Sequence, residues 1–108
     1  MKSNRRSGRE TPDLAGRQDA ARELAIVALS FIASETEELS RFLALTGIDP
    51  GAVRIAAEEP GFLAGVLAYI SGNERTLATF AAHAGVAPEQ IEKARRLLAG
   101  ADWERDVP

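Results

Sequence analysis

Apolar residues recur along this chain at helical rather than alternating spacing. Leu24, Val27, Ala28 and Phe31 mark one face of a first helix predicted over residues 17–33. Ala25, Ile26, Leu29 and Ile32 add a second stripe, so the C-terminal half of that helix is expected to be buried nearly all round. Ser34 and Glu37 then have capping-box spacing: the hydroxyl accepts from the amide three residues on, the carboxylate reaches back, and a second helix should start there. It carries Leu39, Phe42, Leu43 and Thr46 before Gly47, the residue type that adopts a left-handed helix end most cheaply. Asp49 and Pro50 read as N-cap and first residue of a short third helix, with Val53 and Ala56 inward.

Pro60 ends that helix and opens a fourth, because proline costs least in a first turn, where no intrahelical amide bond is lost. No residue from Phe62 to Ile70 is charged, which makes the fourth helix the expected centre of the core. Gly61 and Gly65 share one of its faces and are expected to admit a neighbouring helix, of the same domain in preference to a second subunit. Gly72 and Asn73 separate a fifth helix over residues 74–84, closed by Gly85. Pro88 starts a sixth that ends near Gly100. No run alternates in polarity as a strand would. The predicted fold class is therefore all-α, a compact bundle of about six short helices. The helical domain spans residues 17–100. Residues 1–16, polar and holding Pro12 and two glycines, should form a flexible tail, and residues 101–108 a second tail containing the single tryptophan, Trp103.

An internal similarity appears at an offset of 38 residues. It pairs Leu39 with Leu77, Phe42 with Phe80, Ala44 with Ala82 and Gly47 with Gly85; beyond the glycines, Ile48 meets Val86, Pro50 meets Pro88, Val53 meets Ile91 and Ala56 meets Ala94. The pattern reads as a duplicated helix, glycine corner and helix. One such unit cannot cover its own apolar face, so the two are expected to pack together around the first and fourth helices.

Composition narrows the chemistry. The chain has 108 residues, 45% hydrophobic and 27% charged, which suits one globular domain. It has no cysteine, so disulfides, thiolate catalysis and Cys-ligated zinc are excluded and a cytoplasmic location is expected. The longest apolar stretch, Ala25 to Ala33, is far shorter than the roughly 20 residues a membrane-spanning helix needs, and no secretory signal pattern follows the N-terminal arginines. Four basic and two acidic residues fall in residues 1–16; residues 17–108 carry nine basic and fourteen acidic ones, so the domain itself is acidic.

That charge bears on the one motif with a functional reading. Helix, glycine corner and helix is also the outline of a DNA-binding helix-turn-helix, and residues 77–99 fit it, with Ala81, Ile91 and Ala94 where that motif buries small and apolar residues. In the first copy Leu43 fills the crowded position. A recognition helix opening at Pro88 would present Glu89, Gln90 and Glu92 first and Lys93, Arg95 and Arg96 late, the wrong order for approaching phosphates. His83, the single histidine, is expected to be a mildly favourable cation near a helix C-terminus rather than a catalytic base. Glu37 with Glu38 and Glu58 with Glu59 are adjacent on helices, so each pair diverges by about 100° and should form a solvated face. No nucleophile-elbow, phosphate-loop or dinucleotide pattern occurs, and no cofactor or metal site is expected. Trp103 either folds back to bury its ring or contacts a partner.

The strings Arg41-Phe-Leu-Ala-Leu-Thr-Gly-Ile-Asp-Pro50, Glu59-Pro-Gly-Phe-Leu63 and Gly85-Val-Ala-Pro-Glu89 resemble an uncharacterised bacterial family, one domain of about 100 residues, catalogued as a domain of unknown function. The resemblance implies a single helical domain and brings no activity, cofactor or catalytic residue with it. The expected function is a cytoplasmic helical protein-interaction module without catalytic activity, with Gly47, Pro50, Gly85 and Pro88 as structural corners and Trp103 as a candidate partner contact. The alternative is a helix-turn-helix DNA binder using residues 77–99.

Overall fold

The computed structural model describes the backbone of residues 12–106 and the side chains of residues 16–100. Among the described residues six α-helices follow one another: α1 Pro12–Ala33, α2 Thr36–Thr46, α3 Val53–Ala56, α4 Pro60–Ser71, α5 Glu74–Ala84 and α6 Pro88–Asp106. A single 3-10 turn, Pro50–Ala52, precedes α3, and the described residues contain no strand. The expected tail over residues 1–16 lies outside the described residues as far as Thr11. From Pro12 the backbone is helical, five residues before the first predicted helical position, since proline is at home in a first turn. At the other end α6 continues past Gly100 to Asp106, through the segment expected to be a tail. A glycine inside a helix costs only about 1 kcal/mol relative to alanine, and no proline follows before Pro108.

Three helices build the core. α4 packs most extensively on α6, α1 packs on both, and α2 and α5 flank them. The uncharged α4 sits at the centre as its composition predicts, with Leu63, Val66, Leu67 and Ile70 fully buried. Around them lie Ile91 and Leu98 of α6, Ala25, Ala28 and Ile32 of α1, and the two flanking phenylalanines Phe42 and Phe80. Each phenylalanine anchors an aromatic group. Phe42 meets Phe62 and Tyr69 edge-on at 5.9 and 5.3 Å, while Phe80 meets Phe31 at 5.4 Å. Such pairs contribute roughly 0.5–1.5 kcal/mol each beyond their burial.

α1 departs from its sequence reading. Its deepest stripe is Ala21, Ala25, Ala28 and Ile32, whereas Ile26 and Val27 are 42% and 40% exposed. A helix wedged against two others is accommodated by its smallest side chains, which let the axes approach; bulkier residues turn outward. The glycine face of α4 departs at Gly65, which is exposed, with nothing among the described residues within 4 Å of where its Cβ would stand.

The two glycine corners agree at the glycine and diverge after it. Gly47 and Gly85 both adopt φ of 71° as left-handed C-terminal residues. At the first, the Gly47 amide donates to the Leu43 carbonyl, and the Thr46 hydroxyl donates to the Phe42 carbonyl while accepting from the Ile48 amide. At the second, Val86 donates back to the Ala81 carbonyl, the six-to-one bond of a Schellman ending. Pro50 then opens only one 3-10 turn and the four-residue α3, whereas Pro88 opens the 19-residue α6. The first exit helix therefore stays outside the core. Val53 and Ala56 are half-buried and Ile55 is 71% exposed, while Ile91 and Ala94 at the equivalent positions are buried.

Capping also differs from expectation in detail. Ser34 lies in the turn after α1, where its hydroxyl donates to the Phe31 carbonyl, and Glu35 takes the N-cap position of α2 with no side-chain hydrogen bond, so the Ser34–Glu37 capping box does not form. Asp49 likewise makes no side-chain cap. α5 does have a side-chain N-cap: Asn73 accepts from the Thr76 amide at 3.0 Å.

Candidate interaction surface

The second corner is held by short-range chemistry that the sequence reading missed. Gln90 occupies the third helical position of α6, and its side-chain oxygen accepts from the Ala87 amide at 2.8 Å, half of a capping box built from glutamine. This bond and the Val86-to-Ala81 bond fix the angle at which α6 leaves the corner. α6 then runs beside the N-terminal half of α1, and the two leave an open groove of about 510 Å³ between them. Leu24 and Val27 of α1, Val86 of the corner and Leu97 of α6 form its apolar floor. Arg17, Glu23, Gln90 and Lys93 stand on its rim.

The apolar surface does not stop at the groove. Ile26 and Val27 carry it onto the outer face of α1, where Asp19, Arg22 and Glu23 flank a shallower hollow. At about 25 cal/mol per Å2, apolar area left in water is a standing cost that a covering surface would remove. Four-residue periodicity alone could not reveal this face, because the C-terminal half of α1 is apolar nearly all round and only its neighbours decide which stripe is covered.

Of the residues singled out from sequence, Gly85 and Pro88 form the corner that carries Val86 into the groove without lining it themselves, and Gly47 and Pro50 form the other corner. Trp103 falls on α6; its side chain, and with it the choice between fold-back and partner contact, lies outside the described residues. His83 is exposed on the last turn of α5, its ring 5.4 Å from that of Phe31.

Three charged side chains of α6, Glu92, Arg95 and Arg96, are paired with one another. Glu92 receives two hydrogen bonds from the Arg95 guanidinium and lies 3.9 Å from Arg96. Arg95's hydrogen bonds hold the Glu92 carboxyl below its ordinary range, and the same bonds raise the Arg95 guanidinium. Helix-turn-helix spacing is present in residues 77–99, with Ala81, Ile91 and Ala94 buried, but Arg95 and Arg96 are paired with Glu92, Lys93 stands on the rim of the groove, and Glu89 is exposed on the leading turn.

A second polar group joins α2 to α4. The Tyr69 hydroxyl donates to the Glu38 carboxylate at 2.7 Å, and Arg41 reaches the other oxygen of that carboxylate at 3.4 Å. Burial raises the Tyr69 phenol above its ordinary value, and the hydrogen bond to Glu38 raises it further. Glu38 is thus a tether between helices, not the solvated face expected of it; nothing in sequence points across the 31 residues that separate the pair.

Among the described residues no group of three or more histidines and carboxylates could hold a metal ion, and no helix is long and apolar enough to cross a membrane. No polar or charged side chain among them is buried. The model of a family described as "Protein of unknown function (DUF3572)" matches residues 18–101. Comparison with curated proteins and with solved structures gives no match.

Proposed function

Because the chain belongs to the DUF3572 family, whose description carries no activity, we propose a function from the surface it presents: a small cytoplasmic protein-interaction module without catalytic activity. Its groove between α1 and α6 takes an apolar helical face of another protein. The observation that carries this reading is the continuous apolar floor of Leu24, Val27, Val86 and Leu97, extended onto exposed Ile26. Two helices running side by side leave a channel into which the ridge of a third fits, the recurring helix-in-groove mode of recognition. The polar groups with shifted proton affinities, Tyr69, Glu92 and Arg95, each have a structural partner that accounts for the shift, which supports a role in packing rather than chemistry. The lack of cysteine suits a reducing compartment. DNA recognition through residues 77–99 is the weaker reading, since its spacing is met but Arg95 and Arg96 are paired with Glu92 and Glu89 leads the helix.

The test is capture of a partner from an extract of the source organism by the full chain, in parallel with Val27→Glu on the groove and Ile55→Glu away from it. Both positions are exposed enough to accept the charge without unfolding, which circular dichroism melting confirms. The expected result is one partner retained by the wild type and by Ile55→Glu and weakened at least tenfold by Val27→Glu. Retention that is indifferent to Val27→Glu, or no partner at all, overturns the proposal.

A further inference from the structure

We draw no further inference here: the strongest candidate, the hollow between α2 and α4 where exposed Leu45 stands beside Ala68 and Gly72, carries nothing because nothing in the structure shows what covers it.

Discussion

The same substitution, glycine to alanine, should have opposite effects at two places in this protein. Gly85 holds φ at 71°, and nothing lies within 4 Å of where a Cβ would stand, so alanine meets no clash and its cost is conformational alone. A left-handed L-residue costs about 1–2 kcal/mol, and the stiffer unfolded chain of the alanine variant returns about 0.4–1 kcal/mol, leaving a net loss on the order of 1 kcal/mol. Gly65 lies inside α4 in equally open space with ordinary helical φ. There alanine should stabilise by about 0.8–1 kcal/mol, the difference in helix propensity. In urea, with a slope of about 1.5 kcal/mol per M, the two midpoints should move about 0.6 M in opposite directions. Gly85→Asn should lose less than Gly85→Ala, because a short amide side chain supports the left-handed conformation with local hydrogen bonds. A Gly85→Ala variant as stable as Gly65→Ala would refute the corner geometry, and a Gly65→Ala loss would mean that a helix covers that face.

Asn73→Ala removes the cap on α5 and should lower stability by about 1 kcal/mol, with Asn73→Asp close to wild type; equal melting points for Asn73→Ala and wild type would count against the cap. The folded state holds the Tyr69 proton more tightly than the unfolded chain does, so its contribution is complete below about pH 10 and lost as pH rises beyond it. Tyr69→Phe should therefore flatten stability above about pH 10, and parallel alkaline losses in the two proteins would remove Tyr69 as the cause. The full chain should show no sequence-specific binding of duplex DNA, and a selected sequence lost on joint Arg95→Ala and Arg96→Ala substitution would restore the helix-turn-helix reading.

What the sequence determined by itself was local and steric. Gly47 and Gly85 take left-handed φ because they alone at those corners lack a Cβ, and Pro60 and Pro88 start helices because their rings suit a first turn. The uncharged run of α4 could be stable only inside, and it is. Tertiary structure decided everything that depends on a neighbour. Ala21, Ala25 and Ala28 face inward past Ile26 and Val27 because α4 and α6 close on α1 from two sides, a choice that the nearly all-round apolar stretch from Leu24 to Ala33 leaves open. Glu38 is tied to Tyr69 because α2 folds back against α4. The groove likewise exists only because the second corner swings α6 alongside α1; its floor is drawn from residues up to 73 positions apart, from Leu24 to Leu97, and no local pattern records a surface that distant segments make by meeting.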